Sequence, residues 1–269
     1  MIGETGELRG SEGRVFYHCW RPVADARAVA LIVHGYAEHG ERYAHLAAAL
    51  VDEGFAVYAP DHIGHGRSEG ERALLVDFEH VVDDLRALAS LAQSLHGELP
   101  LVMIGHSMGG LLTARYAERY PEQLAGAAFL GAVLGDWKWA REVLSYAELP
   151  PSDSNPNGMS RDPEVCRAYA EDPLVYHGTY KRPLLVAEVA CLDRFNAEIG
   201  AIRMPVAFFH GSDDPFVPFA DSKEAVERMP STDKEFHVYE GARHELVNEL
   251  NRDEVLADVV GFAKRVTSS

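Results

Sequence analysis

Apolar positions recur along the chain in distinct rhythms, and each predicts an element. Two short stretches, Glu7 to Arg9 and Val15 to Trp20, alternate apolar with polar residues across "GSEG" and predict an antiparallel hairpin. "AVALIVHG" (28–35), "FAVYAP" (55–60), "PLVMIG" (100–105), "LAGAAFLGAV" (124–133) and "PVAFFHG" (205–211) are continuous apolar runs, as expected of strands buried on both faces. "KEFHVYEG" (234–241) reads as a final strand. Between these runs the apolar spacing becomes helical. Helices are predicted over Arg42–Val51, Val76–Leu95, Ser107–Arg119, Ala220–Arg228 and Asp253–Lys264, the third stopped by Tyr120-Pro121. Strands alternating with helices predict an α/β fold, a mainly parallel doubly wound sheet with helices on both faces.

The alternation stops between Leu134 and Ile199, where "GDWKWAREVLSYAELPPSDSNPNGMS" leads into short amphipathic pieces. That is too long for an ordinary connection. It predicts a mainly helical insertion, a lid or cap at residues 134–199 over a core made of residues 1–133 and 200–269. Trp137, Trp139, Leu144, Tyr146 and Leu149 would either form an apolar rim for an acyl chain or a lipid surface, or pack the lid on its own body.

Composition narrows the picture. The 269 residues are 47% hydrophobic and 25% charged, enough for one large α/β domain with a real core. A formal net charge of −17 argues against a nucleic-acid partner, since phosphate recognition needs clustered Lys and Arg. Cys19, Cys166 and Cys191 are odd in number and widely spaced, so they offer neither a disulfide framework nor a CxxC metal pair. The N-terminus lacks the basic head and apolar stretch of a secretory signal, and no run approaches ~18 apolar residues. The expectation is a cytoplasmic protein, with peripheral contact at a lipid surface left open.

The candidate chemistry begins at "LVMIGHSMGGLL" (101–112). "GHSMG" matches G-x-S-x-G where a strand hands over to a helix, the context of a nucleophile elbow. Gly105 and Gly109 would allow close backbone approach while Ser107 occupies a strained apex. On such a fold an acid and then a histidine follow on loops after late strands. "GSDDPFVP" offers Asp213 and Asp214, and "ARHE" offers His244. Oxyanion donors would be the backbone N–H groups of Met108 and of Tyr36, in "HGYAEH" after the third strand. Met108 would also fill the acyl side. "DHIGHGRS" places His62 and His65 near an aspartate, but without a third ligand it reads as a structural loop bracing the elbow. "GHGRSEG" lacks the GK[ST] ending of a phosphate loop.

The blocks "HGYAEHGERYAHLA" (34–47), "DHIGHGRSEGER" (61–72), "GHSMGG" (105–110), "MSRDPEVCRAYAEDPLV" (159–175), "HGSDDPFVP" (210–218) and "YEGARHE" (239–245) resemble the monoacylglycerol lipases. These are lysophospholipase-like serine hydrolases of the α/β-hydrolase superfamily. The resemblance implies Ser107 as nucleophile, His244 as base and Asp214 as acid, with Asp213 the fallback. It also implies substrate contacts from Glu38 and Arg42 near the oxyanion loop and from Tyr169 of the lid. The chain departs from the family at Val247, where some members carry a second histidine, and at Tyr36, where the residue is often small. It also looks shorter in the lid before Met159.

The implied activity is hydrolysis of monoacylglycerols to glycerol and fatty acid through an acyl-enzyme, with a small lipid ester as partner and no metal or organic cofactor. Alternatives with the same residues are a lysophospholipase, a general carboxylesterase or thioesterase, or an acyltransferase. A non-catalytic ligand-binding protein is the alternative of a different class.

Overall fold

The computed structural model describes residues 1–151 and 155–268. Its single sheet has eight strands in the order β1-β2-β4-β3-β5-β6-β7-β8. The strands are β1 (Ile2–Arg9), β2 (Arg14–Arg21), β3 (Ala28–Val33), β4 (Phe55–Pro60), β5 (Leu101–His106), β6 (Gly126–Leu130), β7 (Val206–Gly211) and β8 (Lys234–Tyr239). The hairpin β1–β2 is antiparallel and joins β4 antiparallel; every later pairing is parallel. The expected doubly wound α/β sheet is therefore present. β1 starts earlier than its alternation suggests, because all eight of its residues pair with β2 although none of them is buried.

Burial on both faces explains the continuous apolar runs. In β3, Ala28, Ala30 and Ile32 pack on one face of the sheet with α1 (Ala44–Asp52) and α8 (Arg252–Val266). Val29, Leu31 and Val33 pack on the other, with α2 (Phe78–His96) and α3 (Met108–Arg119). One residue's slip in register would exchange these faces. α2 begins where Asp77 accepts the Glu79 N–H at 3.0 Å, an N-cap bond, and ends at Gly97 with φ of 84°.

Between β6 and β7 the described residues form no strand. They give α4 (Lys138–Leu144), α5 (Pro163–Glu171) and α6 (Arg182–Glu198), after which α7 (Phe219–Arg228) separates β7 from β8. Residues 152–154 of the expected insertion lie outside the described residues. The segment is tied to the sheet's loops at several points. The Tyr176 N–H donates to the Ala37 carbonyl at 2.8 Å, His39 pairs with Asp172 at 2.9 Å, and the Glu245 N–H donates to the Met159 carbonyl at 2.8 Å. α6 packs on α3 and α2. The C-terminal ends of the parallel strands and this helical segment together enclose the site.

Candidate active site

β5 delivers His106 and then turns sharply. Ser107 has φ of 55° and ψ of −122°, a conformation that L side chains rarely adopt. The two flanking glycines make the turn feasible. A Cβ on Gly105 would strike Thr113 Oγ1 and the Gly109 carbonyl, and one on Gly109 would strike the Val33 and His34 carbonyls. The elbow is thus packed onto β3, and Ser107 heads α3.

The loops after β7 and β8 bring two further residues to that serine. His244 Nε2 lies 3.0 Å from Ser107 Oγ, and His244 Nδ1 lies 2.8 Å from Asp214 Oδ2. Asp214 Oδ1 accepts from the Phe216 and Val217 N–H groups at 2.9 and 3.0 Å. Asp213 is exposed and accepts from the Ser212 hydroxyl, so of the two adjacent aspartates only Asp214 faces the imidazole. Burial opposes ionisation of Asp214, but the His244 ring and the backbone donors outweigh it and hold its pKa below the usual carboxylate value. Burial likewise disfavours the imidazolium of His244, yet Asp214, with help from Glu245 and Glu38, raises its pKa above the ordinary value.

The Tyr36 and Met108 N–H groups flank the serine from two sides, one after Gly35 and one at the start of α3. Neither has a hydrogen-bond acceptor among the described residues. The loop that carries the Tyr36 N–H is held by Glu38, expected from the sequence to be a substrate contact. Glu38 Oε1 accepts from the Gly35 N–H at 2.8 Å and from the Tyr43 hydroxyl at 2.7 Å, and its Oε2 accepts from Arg42 at 2.7 Å. Arg42 also grips Glu245 through two bonds of 2.6 and 2.7 Å. Glu38 and Tyr169 line the cavity described below; Arg42 does not, its guanidinium being spent on two buried carboxylates and stacked 4.9 Å from the Tyr169 ring centre. Glu245 was missed from sequence. Its only signal was a carboxylate next to His244, and its partner is 203 residues earlier in the chain.

The "DHIGHGRS" loop bonds to His34 at the end of β3, not to the elbow as expected. His34 Nδ1–H donates to the Gly35 carbonyl at 2.7 Å, while its Nε2 accepts the His62 N–H at 3.0 Å, which fixes a neutral tautomer. His62 Nε2 lies 3.1 Å from the His34 carbonyl. Burial pushes His62 down to about 3 and His65 down to about 4, so both stay uncharged at neutral pH. Among the described residues no group of three or more His, Cys, Asp or Glu is arranged to hold a metal. Cys19, Cys166 and Cys191 are buried free thiols.

A cavity of about 700 Å³ opens over Ser107. Met108, Val133, Trp137, Trp139, Phe216 and Val217 give it a largely apolar wall. Of the expected rim, Trp137 and Trp139 line it, Leu144 and Leu149 pack against the core, and Tyr146 is exposed. Tyr36 lines the cavity with its ring stacked on Tyr180 at 4.2 Å, whereas Val247 is buried and does not line it. Glu188 of α6 is a second lining residue that sequence reasoning missed. Leu184, Leu185, Cys191, Leu192 and Phe195 are spaced as an apolar helical stripe, and only the docked helix shows Glu188 buried among them.

Residues 24–251 match the model of the family described as serine aminopeptidase, S33. A monoacylglycerol lipase of Mycolicibacterium smegmatis is 35% identical over 258 residues, 93% of this chain and 92% of that protein. The chain belongs to the monoacylglycerol lipase family. A monoglyceride lipase of Rattus norvegicus is 32% identical over 88% of this chain and 81% of its own length. The crystal structure of the Paleococcus ferrophilus monoacylglycerol lipase superposes with a TM-score of 0.79 at 26% identity, covering 99% of this chain and all of that one. As a member of the monoacylglycerol lipase family, the protein is a serine ester hydrolase on the α/β-hydrolase fold. No helix among the described residues is long and apolar enough to cross a membrane.

Proposed function

We propose that this hydrolase cleaves monoacylglycerols to glycerol and fatty acid, with Ser107 as nucleophile, His244 as base and Asp214 as the acid that orients it. The observation that carries the reading is the unbroken hydrogen-bonded run from Ser107 through His244 to Asp214 at the floor of an apolar cavity. His244 Nε2 takes the Ser107 proton as Oγ attacks the ester carbonyl carbon. The tetrahedral oxyanion accepts from the Tyr36 and Met108 N–H groups, strengthened by the N-terminal end of α3. The C–O bond to glycerol then breaks and the departing oxygen takes the proton from His244. Water, deprotonated by the same imidazole, attacks the acyl-enzyme, and Ser107 leaves with the proton returned.

Residues 134–199 act as a lid over the core formed by residues 1–133 and 200–269. Trp139, 41% exposed at the cavity's edge, is the residue through which that lid meets lipid. Tyr169 and Glu38 face the glycerol group, while Arg42 positions Glu38 and does not itself touch substrate. A fluorophosphonate probe labels Ser107 in the wild type and not in Ser107→Ala, whose kcat falls about 10⁶-fold. Rates on a monoacylglycerol, a lysophospholipid, a thioester and a p-nitrophenyl ester of one acyl chain test the leaving group. A monoacylglycerol rate far below the others would exclude this substrate assignment while keeping the hydrolase.

A further inference from the structure

Glu188 sits where a leucine would serve packing better. It occupies the middle of the buried stripe of α6, is 1% exposed, and lines the cavity over Ser107. No hydrogen bond or ion pair reaches it among the described residues, and its Oε2 is wholly enclosed without a partner. The Tyr36 hydroxyl is enclosed and unpartnered in the same way. The rings of Tyr36 and Tyr180 stack at 4.2 Å and 11°, and Tyr180 in turn meets Trp139 at 5.5 Å between ring centres. The group therefore stands on the tryptophan-lined side of the cavity, while Arg42 serves Glu38 and Glu245.

Buried polar groups in folded proteins are almost always hydrogen-bonded, so two unpartnered ones on one cavity wall call for a ligand atom. Burial alone pushes the Glu188 carboxyl up to about 8, which leaves it protonated at neutral pH. A protonated carboxyl can both donate and accept, and a phenol can do the same. An unfunctionalised alkyl chain lying against this wall would leave every one of these groups unsatisfied. A chain bearing a hydroxyl or a carbonyl there would not.

We propose that Glu188, with the Tyr36 hydroxyl, is a specificity-determining patch that selects esters whose acyl group carries a hydroxyl or carbonyl along its length. This rests on the reading of Ser107 as the nucleophile that takes up the acyl group. The test uses the full chain and p-nitrophenyl dodecanoate with its hydroxy and oxo analogues, the functional group being moved along the chain. The leaving group is constant and has no hydroxyl, so only the acyl portion can report. At one position or a few adjacent ones, kcat/KM should exceed that of the plain ester by roughly 10- to 100-fold, the scale of a satisfied against an unsatisfied buried partner. Glu188→Leu should bring that ratio close to one, and Glu188→Gln, which still donates and accepts, should keep part of it. Equal rates across the series, a preference for the plain ester at every position, or a ratio that survives Glu188→Leu would overturn the inference while the hydrolase stands. Absence of turnover on every ester, with no labelling of Ser107, would overturn the hydrolase reading and this inference together.

Discussion

Two walls of one cavity treat a buried carboxylate in opposite ways. On the wall built by the strand-end loops, Glu38 and Glu245 share Arg42, and Asp214 is held by His244 and two backbone N–H groups. Burial raises the pKa of Glu245, but the charge and bonds of Arg42 outweigh it and leave a net lowering. On the wall built by α6, Glu188 meets burial with nothing to oppose it. The lesson is that burial does not decide the state of a carboxyl; its partners do. The partnered wall serves geometry, because each of its bonds fixes an atom near Ser107. The unpartnered wall is free to serve recognition.

The largest effect should come from breaking the partnered wall at its shortest link to the reaction. Asp214→Asn should lower kcat about 10⁴-fold, since the amide favours the wrong imidazole tautomer. Asp214 is also what raises the pKa of His244, so the acid limb of the kcat/KM profile should move to lower pH in this variant, as stopped-flow or pH-stat assays would record. No such displacement would mean that another group sets the limb.

Next is Arg42→Ala, which leaves two buried carboxylates without their cation. A stability loss of about 3–5 kcal/mol is expected by denaturant titration. In the same variant kcat should fall by roughly 10²–10³, because Glu38 no longer fixes Gly35 and the Tyr36 N–H drifts from the oxyanion. Arg42→Lys should recover part of the stability, though not the bidentate grip on Glu245. A change in KM alone would instead make Arg42 a substrate contact.

The smallest effect tests the unpartnered wall, and its sign is reversed. Glu188→Leu should raise Tm by a few degrees, since it removes a buried polar group that nothing satisfies. In the unfolded chain a glutamate ionises near pH ~4.3, whereas in the fold Glu188 holds its proton up to about 8. Between these values the unfolded chain binds fewer protons, so Glu188 costs more stability as pH rises. The gain in Glu188→Leu should therefore be larger at pH 8 than at pH 5 in parallel thermal melts. A gain that shrinks with rising pH would contradict the raised carboxyl.

What sequence could say followed from how local each signal was. Val29 to Val33 reads as a doubly buried strand because its neighbours alone carry the pattern, and the elbow reads from five consecutive residues. Ser107, Asp214 and His244 were findable because the fold fixes their order along the chain. The Arg42–Glu245 pair was not, since charged residues so far apart show no periodicity and meet only after the sheet is built. β1 was shortened because pairing along a polar edge leaves little trace in hydrophobicity. The α6 stripe was legible as amphipathic, but a single acidic residue in it passes for a solvent-facing one until the helix is docked.

Histidines crowd the ends of β3, β5 and β7 around Ser107. His34, His62, His65, His106 and His210 are all driven by burial to pKa values below that of free imidazole, with His62 at about 3 and His65 and His210 at about 4. His244 alone in this neighbourhood is driven the other way. Burial thus holds five imidazoles toward their neutral form, while the Asp214 carboxylate draws His244 toward its charged one. The same enclosure therefore steers neighbouring rings in opposite directions, and the turnover rate should follow the proton of the one ring that a carboxylate partners.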